Sequence, residues 1–211
     1  MPVFDLHMHS CASDDGEYTV EQLLTACNRA GVDHISITDH NTVKAVPEAL
    51  ILGPKCGIKV ISGVELDTQY KGKGFHVLGY CIDYSDQRYT HIEQDIAHQE
   101  VKAAQRKLDI FEEISGLRVT LDQIYALSGE ELVTGELVAE VLLNRPDASK
   151  HEILQPYLNG GERSDNPYVN FYWDFFSQGK PAYVPIHYIS LPDAIELIHN
   201  TGGVAVLAHP K

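Results

Sequence analysis

The sequence predicts an α/β fold in which short apolar strands alternate with amphipathic helices, interrupted once by a long helical insert. Three observations carry this. Apolar runs of four to eight residues recur between helix-period segments with short connections, the pattern of a parallel sheet covered by helices. Four of five such strands deliver a histidine or carboxylate at their C-terminal end. Between residues 86 and 185 the alternation stops, and long helical stretches follow one another without a strand.

The first strand is Val3-Phe4-Asp5-Leu6-His7-Met8-His9-Ser10, apolar enough to read as buried yet ending in two imidazoles. Side chains two apart on a strand share a face, and neutral imidazole is the commonest holder of transition metals. Residues 10–16 form a polar loop carrying Asp14 and Asp15. Thr19 is placed to cap the next helix, with Glu21 and Gln22 in its first turn. Leu23, Leu24, Cys27 and Ala30 give that helix one apolar face, and Gly31 ends it.

Residues 34–40, His-Ile-Ser-Ile-Thr-Asp-His, form a second strand ending in Asp39 and His40. A helix over 43–52 leads to a third strand, 59–65, ending in Glu65. A fourth, 75–81, has His76 near its start. Residues 86–159 are helical, as in the stretch from His91 to Ile114, and 160–185 are a loop-rich return dense in aromatics. Residues 191–200 form a helix with Pro192 in its first turn and Gly202-Gly203 beyond its end. The last strand, 204–209, is apolar and ends in His209. The chain therefore divides into an α/β body, 1–85 with 186–211, and a helical cap insertion, 86–185.

A chain of 211 residues, 44% of them hydrophobic, supports one real core with an insertion. The formal net charge of −14 excludes a passive nucleic-acid clamp, which would need Lys and Arg against the phosphates. An acidic chain still handles phosphates when its carboxylates hold divalent cations. No apolar run approaches bilayer length, and Asp5 and His7 interrupt the N-terminus, so neither a membrane segment nor a signal peptide is expected. Cys11, Cys27, Cys56 and Cys81 are widely spaced, without Cys-x-x-Cys. They read as reduced thiols, which points to the cytoplasm.

Taken singly, Asp39 reads as a helix cap, Glu65 as a solvated strand end and His209 as a core histidine. Jointly, His7/His9, Asp39/His40, Glu65 and His209 form one rim, where barrel enzymes assemble their chemistry. Histidine and carboxylate without thiolate suit manganese, iron or zinc. More ligands than one ion needs imply a cluster of two or three divalent ions, able to activate a bridging water and clamp both oxygens of a phosphoryl displacement.

Asp-Leu-His7-Met-His9-Ser with Ser13-Asp14, then Ile-Thr-Asp39-His40, Gly-Val-Glu65, His76-Val-Leu-Gly and Leu-Ala-His209-Pro, resembles the polymerase and histidinol phosphatase (PHP) superfamily, in order over nearly the whole chain. The resemblance implies a distorted seven-stranded, TIM-like β/α barrel with up to three metal ions. It implies His7, His9, Asp14, His40, Glu65, His76 and His209 as ligands, Glu65 bridging two ions, with Asp15 the alternative to Asp14. Asp39 would orient a ligand or help proton transfer. Relatives continue through a further strand and one ending in Asp-x-His, so a C-terminally truncated barrel of impaired activity is expected. An Arg-x-His common near the start of a cap helix in small nucleotidase-like members is replaced here by Thr134-Gly135-Glu136-Leu137.

The implied activity is a metal-dependent phosphoesterase using a metal-activated hydroxide. Its substrate would be a small phosphomonoester, a nucleotide bisphosphate or the 5′ end of a short oligonucleotide. Arg163, in the loop 160–166, offers a bidentate fork to a phosphate, although such a loop also reads as a surface turn. Tyr172 is the aromatic expected to meet the leaving group. Its neighbours Tyr168, Phe171, Trp173, Phe175 and Phe176 read chiefly as packing that seats the cap on the barrel. Two alternatives stand: an amidohydrolase-type C–N hydrolase, and a non-catalytic metal-stabilised interaction module. The oligomeric state has no signature in the sequence.

Overall fold

In the protein, described here by a computed structural model over residues 2–13, 15–128 and 133–210, Thr19 caps α1 (Val20–Ala30). Its hydroxyl accepts from Gln22 N, the Gln22 side chain returns to the Thr19 N–H, and Gly31 closes the helix at φ 74°. Such a reciprocal cap satisfies two end amides at once. Helix α1 buries Val20, Leu24 and Cys27 against Ile35 and Ile37 of β2 (His34–Ile37) and against α2 (Val46–Leu52).

The chain divides into two compact units, residues up to Ile96 with those from His187 onward, and Ala97–Ile186. The first unit holds two sheets. β1 (Phe4–Met8), β2 and β3 (Lys59–Val60) run parallel in that order. The second sheet has the order β6 (Ile189–Ser190), β4 (Gly63–Tyr70), β5 (Lys73–Tyr80), β7 (Val204–Leu207). A parallel bridge between His40 and Glu65 joins the two. Helix α7 (Leu191–Asn200), capped by Ser190, buries Ala194, Leu197 and Ile198 over Val64, Leu66 and Val77.

Three expectations are corrected here. The second sheet is mixed rather than parallel, because β4 and β5 form an antiparallel hairpin. Its turn is Lys71-Gly72, both with positive φ, 49° and 75°, the two-residue geometry whose twist matches a hairpin. The strand expected over 59–65 is broken at Ile61-Ser62, and its second half continues to Tyr70, so Glu65 lies inside a strand rather than at its end. Finally, the first strand, read as buried, is exposed, as is the last. Both are sheet edges, with Phe4 55% and Val204 60% exposed.

Gly63 matters to the site. A Cβ there would lie 2.2 Å from Ser36 Oγ and 2.8 Å from Thr38 Cγ2, so only glycine lets β4 pass this close to β2. Two residues later comes Glu65.

The second unit contains most of α3 (Gln87–Ser115), then α4 (Leu121–Ser128), α5 (Gly135–Leu143) and α6 (Pro167–Phe175). No strand occurs among its described residues. The division between the units falls inside α3, after Ile96. Its core is aromatic: Phe111 lies 5.4 Å from Phe171 and 5.3 Å, edge-on, from Phe175, with Leu142, Leu154 and Ile124 around them. Phe171, Phe175 and Phe176 are thus committed to this unit's own interior. No described helix is long and apolar enough to cross a membrane.

Candidate metal centre

Glu65 is fully buried, and five imidazoles converge on its two oxygens. Oε2 has His7 Nε2 at 2.7 Å, His9 Nε2 at 3.2 Å and His40 Nε2 at 3.7 Å. Oε1 has His76 Nδ1 at 3.0 Å and His209 Nε2 at 3.2 Å.

Backbone geometry explains each approach. His7 and His9 follow the two-residue period of β1, their ring centroids 5.2 Å apart. His40 is brought in by the bridge to Glu65, with Glu65 N donating to Asp39 O and Asn41 N to Glu65 O. His76 pairs directly opposite Asp67 in the hairpin, on the face that Asp67 shares with Glu65. His209 arrives beyond β7, where Ala208 N donates to His76 O at 2.9 Å.

A buried carboxylate needs compensating positive charge, and among the described residues its ion-pair partners are all histidines. Burial alone would raise the Glu65 carboxyl, but the hydrogen bonds from His76, His9 and His7 and the His40 charge hold it far below the usual range. Positive charge is therefore wanted here, and divalent cations supply more of it than protons do. Ligand atoms within 4.8 Å of one another form three groups: His7, Glu65 and His209; His9, His40 and Glu65; and His40, Asp67 and His76. Imidazole nitrogen with carboxylate oxygen fits zinc, iron or manganese. The donor set fits the expected metal centre.

The remaining expected residues are placed as follows. Asp14 lies outside the described residues. Asp15 reaches the site, Oδ1 at 3.3 Å from His9 Nδ1 and Oδ2 at 3.6 Å from His40 Nε2, steadied by Ser13 Oγ at 2.7 Å. Asp39 is buried and accepts from Ser10 N at 2.6 Å and Ser10 Oγ at 2.7 Å, so it anchors the loop that leaves His9. Burial raises its carboxyl despite those bonds. Arg163, in the second unit, gives a bidentate pair to Asp174, Nε at 3.0 Å and Nη2 at 2.8 Å, and Tyr157 Oη donates to the same carboxylate. Tyr172, half-buried, sets its ring edge-on to Trp173 at 5.2 Å. Asp67 and Asn41 were not anticipated, although strand period alone puts Asp67 on the Glu65 face.

Protonation couples to stability here. Burial opposes charge on His40, but Asp67 first, then Glu65 and Asp15, push its pKa up to about 9 from 6.5. The Glu65 hydrogen bond outweighs burial at His76 and raises it too. A raised folded-state pKa stabilises fully below the unfolded value and loses that contribution as pH rises through the folded one. The metal-free protein is therefore expected to lose stability between pH 6.5 and about 9, read as a falling denaturant midpoint. A midpoint that rises over that window would contradict the assignment.

The PHP domain family model matches residues 5–159. A 5′-3′ exoribonuclease of Haemophilus influenzae is 31% identical over 209 residues, covering 98% of this chain and 68% of that protein. A 3′,5′-nucleoside bisphosphate phosphatase of Chromobacterium violaceum is 26% identical over 210 residues, covering 100% of this chain and 67% of that protein. Among solved structures, an amidohydrolase from Chromobacterium violaceum with bound sulfate and no metal superposes with a TM-score of 0.72 at 23% identity, covering 98% of this chain and 66% of that one. That superposition shows a shared mixed α/β fold. The chain spans about two thirds of the length of these relatives.

Proposed function

The chain belongs to the PHP domain family, and from that premise we propose that it is a metal-dependent phosphoester hydrolase acting on nucleotides or on the 5′ ends of short oligonucleotides. The observation that carries this is Glu65, one buried carboxylate whose two oxygens each face a separate set of imidazoles. There Glu65 would hold two ions, one together with His7, His9 and His40 and one together with His76 and His209. Asp14 or Asp15 would take part in holding a third. Manganese, iron and zinc are the candidates. Bound there, such ions supply a water acidic enough to act near neutral pH and positive charge for the phosphoryl oxygens.

The protein's own residues do the rest. Glu65 sets the spacing of the two halves of the site. Asp39, through Ser10, holds the loop after His9 in place. The relatives named as an exoribonuclease and a nucleoside bisphosphate phosphatase support a nucleotide-like substrate. We also read the two sheets of the first unit as parts of a distorted seven-stranded barrel, which the His40–Glu65 bridge and the Tyr80 Oη to Leu6 O hydrogen bond of 2.9 Å support.

The helical unit is proposed as the substrate-reading cap, with Arg163 on a phosphate and Tyr172 on the leaving group. Asp174 uses only two of the five guanidinium N–H groups, so it orients the fork and leaves donors for a second anion. Arg163→Ala is expected to weaken phosphorylated substrates by about tenfold, the loss of one charged hydrogen bond, with metal content untouched. Unchanged KM would remove Arg163 from the site.

The test of the function is a substrate panel with manganese, zinc or iron supplied: 5′-phosphorylated oligoribonucleotides, 3′,5′-nucleoside bisphosphates and cyclic amides. Metal-dependent release of phosphate or nucleotide from the first two is expected. Turnover of the amides alone would favour the C–N hydrolase.

A further inference from the structure

Asp67 is absent from the ligand set just proposed, yet it touches two members of that set from behind. Its Oδ1 lies 2.9 Å from His40 Nδ1 and 3.3 Å from His76 Nε2. The opposite nitrogens of those rings, His40 Nε2 and His76 Nδ1, face Glu65 at 3.7 and 3.0 Å. One carboxylate therefore stands behind two ligands that approach the centre from different elements, the end of β2 and the middle of β5. It is itself fixed: Asn41 Nδ2 donates to Asp67 Oδ2 at 2.8 Å, and Asp67 N donates to Asn41 Oδ1 at 3.0 Å. Asn41 adopts φ 56° to make this closed pair, a conformation Asn tolerates better than most residues.

A neutral imidazole carries its proton on one nitrogen and offers the other to a metal, and the partner of the protonated nitrogen decides which is which. We propose that Asp67, clamped by Asn41, is a positioning residue that sets the tautomer of His40 and His76 together. By accepting from His40 Nδ1–H at 2.9 Å and holding its charge 3.3 Å from His76 Nε2, it favours the tautomers that leave His40 Nε2 and His76 Nδ1 free for a metal in place of their contacts with Glu65. The two rings consequently ligate a divalent metal through different nitrogens. Because one oxygen serves both, losing it loosens the two halves of the centre at once. This rests on the metal-centre reading above.

The test uses zinc, which is diamagnetic, and protein with 15N-labelled histidine. In the zinc-loaded wild type, long-range 1H–15N spectra are expected to show His40 bound through Nε2 with Nδ1 protonated, and His76 bound through Nδ1 with Nε2 protonated. His76 bound through Nε2 overturns the proposal without any variant being made. Asp67→Ala is expected to weaken zinc affinity, measured against a competing chelator, by about 10- to 100-fold, the usual cost of removing such a partner, with the number of ions at saturation unchanged. Asp67→Asn, which keeps an acceptor oxygen but not the charge, should fall between the two. Zinc affinity in Asp67→Ala within twofold of wild type also overturns it. Absence of any zinc binding by the wild type would instead defeat the metal centre itself, and this proposal with it.

Discussion

Glu65→Gln is expected to reduce turnover by about 10³-fold or more, the scale of losing a preorganised charge contact at a reacting centre, while KM changes by only a few-fold. Glutamine has nearly the same shape but no charge, and one of its two terminal atoms is an N–H donor. In place of Glu65 it would present that donor to imidazole nitrogens that must themselves remain free to ligate. The half of the site built on Oε1, with His76 and His209 at 3.0 and 3.2 Å, or the half built on Oε2, with His7 at 2.7 Å, loses its shared anion. A loss confined to turnover marks an interaction needed in the transition state. Steady-state kinetics on a phosphorylated oligonucleotide with saturating metal checks this. A raised KM at unchanged turnover would contradict it.

The second large effect concerns the helical unit. Phe111 is fully buried and touches Phe171, Phe175 and Phe176, with centroids at 5.4, 5.3 and 5.6 Å. Replacing it with alanine removes the hub of that aromatic core and is expected to cost about 3–5 kcal/mol, the usual range for buried phenylalanine. Denaturant unfolding followed by far-UV circular dichroism, which reads the helices of this unit, should report the loss. A change below about 1 kcal/mol, the usual effect of a surface substitution or less-packed site, would mean the core is not assembled around Phe111.

Much of the site was legible because its chemistry is written at strand boundaries. His7 and His9 share a face by period alone, and Asp39-His40 and His209 end apolar runs. Helices α1 and α7 were equally plain, since Thr19 with Gln22 and Gly31, and Pro192 with Gly202-Gly203, are local signals that tertiary contacts did not override. What failed depended on partners distant in sequence or on a turn read too weakly. Lys71-Gly72 makes a hairpin only because Lys71 accepts a left-handed backbone, and lysine gives little warning of that. The edge at Phe4 looks apolar enough for an interior, but burial is decided by neighbours, not by composition. Asp67 was visible in principle, two residues from Glu65. Its importance appears only when Asn41 and His76 are folded against it. The partner of Arg163 could not be read from the loop 160–166, because Asp174 comes from α6.

The central claim is that Glu65 and its ring of histidines hold more than one metal ion. Elemental analysis of manganese-loaded protein, repeated for a variant with His7 and His9 both changed to alanine, tests it most directly. The wild type should carry more than one ion per chain and the double variant measurably fewer, with the folded state of both verified by circular dichroism. Equal stoichiometry in the two proteins, or a metal-free wild type, would contradict the account.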